Sequence, residues 1–509
     1  MNKLYRLVIG FSGLILLTGC IKPAPDTRPW QATVSSQESA IEQAIETPLA
    51  QLPPTRQPGA PYYTPTPDAP RTLPTLRADS ELYVVQYGDS LGHIASEYNL
   101  ELEALIAANE LIDPDVLEIG QVINIPAPQP ATDVSDFKII PDSELVYGPV
   151  SSTLDIEQFV KSQNGYLEEY SEDVEEEGEE LTGIQIVQRI SYEYSVNPRL
   201  LLALLEYRSG WVTSRQVDEV ARNYPMGYKN TTYKGLYMQL AWTAKQLNRG
   251  YYSWKINAIS YTNLSNGTLA PLSPTINAGT AAVQYMLGLN SSAEDWQRAV
   301  SEEGVYHTYT DFFGIPFDLA IEPLIPSNLS QPELALPFEP GVVWSFTSGP
   351  HSGWGDGSAW AALDFGPPGD EFGCFTSDEW VTASADGIIA RSGGGAVVLD
   401  LDGDGLEQTG WTILYMHLET RDRIEAGTQV KTGDRLGHPS CEGGYSNGTH
   451  THIARRYNGE WISADTDMPF VLSGWVSAGD GEEYSGTLTR DGVVVYSWDG
   501  RVDENQISD

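Results

Sequence analysis

Apolar and polar positions change period along the chain, and the changes divide it into units. Between Leu82 and Pro126, Val84 and Val85 begin a short strand, and Gly88-Asp89-Ser90 offers a turn and a helix N-cap. Leu91, Ile94, Ala95 and Tyr98 then recur at helical spacing, and Leu102, Leu105, Ile106 and Asn109 repeat the pattern before Val122, Ile123 and Ile125 form a last strand. The spacing predicts a small βααβ domain over 81–128. From 181 to 330 the pattern is helical: Ile184, Val187, Ile190 and Tyr194 share one face, and Asn197-Pro198 opens the next helix with proline at a tolerated position. From 338 to 475, short alternating strands separated by glycine-rich turns predict an all-β antiparallel domain, with 476–509 appended as a C-terminal β extension. The fold class is therefore multidomain α+β.

The flanking stretches lack such a face. "MNKLYRLVIGFSGLILLTGC" carries Lys3 and Arg6, then an apolar run too short to span a bilayer, then small residues, so 1–20 reads as an export signal. Residues 21–80 hold twelve prolines and read as an extended tether. Residues 129–180 read as a linker with an acidic run, "EEYSEDVEEEGEE", on a solvated surface. A formal net charge of −41 over 509 residues, with no basic stripe, excludes nucleic acid as a partner. Setting Cys20 aside, Cys374 and Cys441 are an even pair in an exported chain, and one disulfide is the expected state. It closes a 67-residue loop, worth ~4 kcal/mol in the chain-entropy treatment.

Five of the seven histidines, His351, His417, His438, His450 and His452, follow residue 350. His450 and His452 stand two apart in "GTHTHIARRY", so on a strand both imidazoles project to one face. Two imidazoles in one cleft bring four nitrogens that need partners, and a metal satisfies one or both pairs. "WTILYMHLE" is an alternating strand running to His417. "DLDGDG" places Asp400, Asp402 and Asp404 before Gly405, the first half of a calcium loop, although Trp411 stands where such a loop ends in a carboxylate. The alternative there is a solvated acidic turn.

Several stretches resemble known families. Leu17-Thr18-Gly19-Cys20 resembles the lipobox of bacterial lipoproteins, which implies lipidation of Cys20 and a membrane anchor in the cell envelope. The 81–128 stretch resembles a LysM module along its length, through "GDSL", "IA", "L..AN" and "GQVINIP", which implies binding to the N-acetylglucosamine chains of peptidoglycan or chitin. "VNPRLLLALLEYRSGW" is faintly similar to the lysozyme-like transglycosylases. In that family a glutamate stands where this chain has Arg208, and Glu206 lies on the opposite helix face.

The 338–475 region resembles the lysostaphin-like, LytM-type zinc endopeptidases in four places: "YMHL", "GTQVKTGDRLG", "GTHTH" and "VTASADGII". The resemblance implies Zn2+ held by Asp364 and His452, with His417 and His450 as catalytic groups beside the reacting water, and peptide bonds of peptidoglycan as substrate. The family's remaining histidine ligand would fall at Trp360, and tryptophan cannot ligate zinc. "WSFTSGPH" and "WAALDF" read as neighbouring strands joined by a glycine-rich excursion, which brings His351 to the vacant corner of the ligand set; His438, near Cys441, is the other candidate. The reading is thus a peptidoglycan-binding zinc metallopeptidase, and the alternative is a catalytically inactive regulator or adaptor with a degenerate peptidase domain.

Overall fold

The computed structural model describes residues 71–509 apart from 87–88, 99, 101, 110–116, 129 and 175–179. The export signal, Cys20, most of the tether and part of the acidic run lie outside the described residues. In the first unit, Glu81–Val84 pairs antiparallel with Val122–Ile125, and the helices Leu91–Glu97 and Leu102–Asn109 cover the pair. Leu91, Ile94, Leu105, Ile123 and Ile125 form its core. Asn109 ties the second helix to the strand. Its amide donates to the Leu105 and Asn124 carbonyls at 2.7 Å each and accepts from Asn124 N–H at 2.6 Å.

The helical unit is built on Gly183–Tyr194, Pro198–Ser209, Leu236–Lys255, Ala278–Gly288 and Val305–Phe313. Thr182 and Gln185 make a reciprocal capping box for the first of these, and Asn197 caps the second with Pro198 just inside it. The expected linker 129–180 is corrected here. Ile139, Ile140, Leu145, Val146, Val160 and Leu167 are buried in the same core as those helices. Glu172, within the acidic run, accepts from the N–H groups of Leu236 and Tyr237, unpaired donors at a helix N-terminus where a carboxylate is favoured. Irregular segments show no period, so their burial is invisible until the helices they cover are in place.

The C-terminal unit has a nine-stranded antiparallel sheet whose central strands run in the order Gly387–Gly393, Ala396–Asp400, Trp411–Met416, Thr451–Tyr457, Ala362–Gly366, Trp344–His351. The boundary expected at 475 is also corrected: it cuts the start of a strand. Trp475–Gly479, Gly486–Arg490 and Val493–Tyr496 belong to a four-stranded second sheet with Val471–Leu472, and Gln506–Ile507 joins the main sheet beside Trp344–His351. Trp475, Leu488, Val495 and Ile507 are buried in the core shared by the two sheets.

Cross-strand register puts His452 opposite both Asp364 and Met416, with Ala454 opposite Ala362 and Leu414 in the next row. Side chains along one face therefore read histidine and aspartate at one end, small apolar residues in the middle, and Asp400, Thr412 and Arg456 at the other. The apolar middle packs with Trp461, Trp354 and Tyr252, so the helical unit covers this face. Contacts between the units include Ser195 Oγ donating to the Gly459 carbonyl at 2.6 Å and the Lys255–Glu460 ion pair. No helix among the described residues is long and apolar enough to cross a membrane.

Candidate metal centre

The strand Trp344–His351 pairs with Ala362–Gly366 through Phe346 opposite Phe365, shifts by one residue to put Ser348 opposite Asp364, and shifts again before the next pair, His351 opposite Ala362. Three residues advance on one strand against two on the other. This extra residue is a β-bulge, which re-aims the side chains beyond it. It turns His351 toward Asp364: His351 Nε2 lies 3.2 Å from Asp364 Oδ1. His452 Nδ1 is also 3.2 Å from Asp364 Oδ1, and the two imidazole nitrogens are 3.0 Å apart. The three residues are 4–7% exposed.

The far nitrogen of each ring fixes what the near one offers. His351 Nδ1 is 2.8 Å from the Gly349 carbonyl, and His452 Nε2 is 3.0 Å from that of Gly353. A carbonyl only accepts, so each of these nitrogens carries the proton and the near nitrogen presents a lone pair. Two lone pairs and a carboxylate oxygen then face one point. Asp364 Oδ1 is buried and without a hydrogen-bond donor. Such a donor set repels itself unless a cation sits among it, and imidazole–imidazole–carboxylate with backbone carbonyls behind both rings suits zinc. The residues present therefore fit the metal.

Two further imidazoles flank this group. His417 ends the strand Trp411–Met416 in a left-handed conformation, φ 62°, held by Ser440 N–H and Oγ–H donating to its carbonyl. Its Nδ1 is 2.9 Å from the Glu442 carbonyl, and His450 Nδ1 is 2.8 Å from that of Gly448, leaving Nε2 of each ring as the acceptor. Their rings are 4.4 Å apart, and His450 Nε2 is 3.6 Å from Asp364 Oδ2. Burial, followed by the neighbouring imidazoles His450 and His452, holds His417 well below the usual histidine range, so it is neutral at pH 7. The Cys374–Cys441 disulfide forms, with Cα atoms 5.8 Å apart, and joins the 374 loop to the one that supplies the Glu442 carbonyl.

His438 does not reach this group. Its ring packs on Trp380 with centroids 3.9 Å apart, and Nδ1 faces the Glu379 carbonyl. Of the two candidates for the corner left open by Trp360, the structure brings His351 to Asp364 and His452. Glu206 caps a turn, its carboxylate accepting from Val212 N–H, Thr213 N–H and Thr213 Oγ–H. Sequence reasoning missed Tyr484 and Glu483. The Tyr484 ring stacks on His351 at 4.8 Å, its backbone pairs with Gly349 and Pro350, and Glu483 accepts from Ser352 N–H and Oγ–H. Only the glycines flanking "DGEEYSG" hinted at a tight loop there, and nothing in it hinted at His351.

Residues 138–325 match the family model described as LasA, N-terminal domain, and residues 83–126 match that of the LysM domain. The middle unit, expected from its faint lysozyme-like resemblance, is thus matched by a LasA model. Relatives include Protease LasA of Pseudomonas aeruginosa (strain UCBPP-PA14), 25% identical over 343 residues, which are 63% of this chain and 74% of the relative. Another is Secreted LysM effector ECP6 of Passalora fulva, 42% identical over 45 residues, 9% of this chain and 20% of that protein. Among solved structures, the chain is similar to "A Novel M23 Metalloprotease Pseudoalterin from Deep-sea", with 24% identity, a TM-score of 0.28, and coverage of 34% of this chain and 97% of that one.

Proposed function

We propose that this chain, which joins a LysM domain to a LasA-type N-terminal domain and a lysostaphin-like domain, is a zinc endopeptidase acting on peptide bonds of peptidoglycan. His351, Asp364 and His452 would hold the zinc, and bound zinc supplies a Lewis acid that polarises a carbonyl and acidifies water to a pKa of ~7. The observation that carries the reading is the convergence of His351 Nε2, His452 Nδ1 and the donor-free Asp364 Oδ1, with both rings locked by backbone carbonyls.

The chain's own residues supply the proton handling. Neutral His417 accepts a proton at Nε2 from the attacking water, and its Nδ1–H stays on the Glu442 carbonyl so that the ring cannot turn away. His417, once protonated, passes that proton to the leaving amine, and His450 Nε2, on the same side and an acceptor in the resting ring, donates to the developing oxyanion only after it has itself taken up a proton. Tyr484 and Trp354 wall the site beside His351 and above the apolar middle of the sheet, keeping bulk water away from it. The LysM domain would hold the glycan strand, and the lipobox-like Cys20 would tether the chain to a membrane of the cell envelope.

The test is metal analysis of the purified chain together with hydrolysis of isolated peptidoglycan. We expect close to one zinc per chain, lost in His351→Ala, and new amino termini that a chelator abolishes. A parent protein without zinc, or release of amino termini unchanged in His351→Ala, would overturn the assignment and favour a non-enzymatic adaptor.

A further inference from the structure

A second group of oxygen ligands lies on the same sheet face, four residues along the strands from the His452 row. The loop between Ala396–Asp400 and Trp411–Met416 carries Asp400, Asp402 and Asp404, each offering a carboxylate oxygen within 4.8 Å of the others. Asp400 is fully buried. Backbone N–H groups of Asp402 and Gly405 donate to Asp400, that of Asp404 donates to Asp402, and Thr409 Oγ–H donates to Asp404. These bonds shape the loop. Among the described residues, none of the three carboxylates has an ion-pair partner.

Thr412 is the independent observation. It is 1% exposed, and its Oγ1 has no hydrogen-bond partner. Leu401 N–H donates to the Trp411 carbonyl, so the adjacent Asp400–Thr412 pair is the one without backbone bonds, whose side chains stand closest on the shared face. On its other side Thr412 faces Arg456, whose guanidinium is turned to Glu407. Thr412 therefore shares that face with Asp400 across the closer of its two cross-strand pairs, while the buried Arg456 Nε on its other side is likewise without a partner.

We propose that Asp400, Asp402, Asp404 and the Thr412 hydroxyl form a calcium site. Four oxygens without nitrogen or sulfur select a hard cation, and a flexible carboxylate loop suits calcium's variable coordination better than the near-octahedral demand of magnesium. Burial and the repulsion of its neighbours push Asp400 up to about 7, in keeping with a cluster short of positive charge. The same loop carries Glu407, which holds Arg391 and Arg456, and Arg391 lies 4.2 Å over the Tyr192 ring of the helical unit. Calcium would thus stiffen the loop on which that docking depends. The proposal is independent of the peptidase reading.

The test uses the full chain, freed of calcium, with CaCl2 and TbCl3 as probes. CaCl2 at a hundredfold excess over Kd should raise the unfolding midpoint by roughly 5–10 °C, MgCl2 should not, and TbCl3 should show emission sensitised through Trp411. Asp402→Asn combined with Asp404→Asn changes two exposed residues and should abolish both responses. Thr412→Val should weaken calcium binding about tenfold, the loss of one oxygen ligand. His351→Ala should respond as the parent does, separating this site from the zinc group. A midpoint unmoved by millimolar CaCl2, an equal response to MgCl2, unchanged affinity in Thr412→Val, or an undiminished shift in the double variant overturns the proposal.

Discussion

Replacing Glu407 by glutamine removes one charge from a buried triad and changes little in shape. Glu407 accepts from Arg391 Nε at 2.9 Å and Nη2 at 3.2 Å, and from Arg456 Nη2 at 2.7 Å. The side chains of Arg391, Glu407 and Arg456 are 11%, 9% and 1% exposed, so water screens the group poorly. Taking away the carboxylate leaves two buried guanidiniums facing each other, and breaking a buried pair from one side costs about 3–5 kcal/mol. For a unit of this size the unfolding midpoint should fall by roughly 10 °C. Arg298→Ala, which breaks an exposed pair with Glu294, is the control and should cost less than about 1 kcal/mol. Burial raises the Glu407 pKa, but the two arginines outweigh it and hold the carboxyl below the usual glutamate range. A carboxylate depressed in the folded state contributes stability above its unfolded pKa and loses it as pH falls through the folded one. Urea unfolding at several pH values should therefore show a large gap between parent and variant at neutral pH, closing below about pH 4.5. A gap under about 1 kcal/mol at pH 7, or one that persists unchanged into acid, would refute the reasoning.

Glu144 should behave in the opposite sense. Burial raises its pKa to about 7 despite Arg199, Tyr309 and Asn197, so parent stability should fall by about 3 kcal/mol as pH rises from the ordinary glutamate range to 7. Glu144→Gln should remove that fall, and parallel pH curves for parent and variant would count against it. Gly353→Ala would place a Cβ 2.6 Å from Trp461 Cε3, displacing the carbonyl that orients His452. Zinc affinity, measured by competition with a chromophoric chelator, should drop about 10–100-fold; an unchanged value in a folded variant contradicts the tautomer argument. Asn109→Ala loses three hydrogen bonds across the LysM domain, and hydrogen exchange of the Val122–Ile125 amides should quicken as for a loss of about 1–3 kcal/mol.

Elements that depend on neighbours in sequence were legible. The LysM strands and helices, the strand Trp344–His351, and His450 and His452 on one face follow from period alone. Two errors share a cause. Residues 129–180 read as linker because they show no long regular face, and the boundary at 475 cut a sheet because strand partners are not visible along the chain; Leu145, Val160, Leu488 and Ile507 are buried against residues far away in it. Burial of an irregular segment is a property of what covers it.

The candidate site divides in the same way. The sequence by itself determined which residue types were available: an aspartate inside a strand, two histidines at a spacing of two, and further histidines upstream. It favoured His351 over His438 because a glycine-rich excursion joins the strand ending at His351 to the strand of Asp364, but it could not show that either ring reaches Asp364 and His452. Only the tertiary structure decided that, through two register shifts against the partner strand, one between Phe346 and Ser348 and one between Ser348 and His351. A bulge is a mismatch between two strands, visible only when they are paired, and the carbonyls of Gly349 and Gly353 that fix the ring protons come from that same local bend. Ligand chemistry is written in side chains, and ligand geometry is set by the pairing of strands.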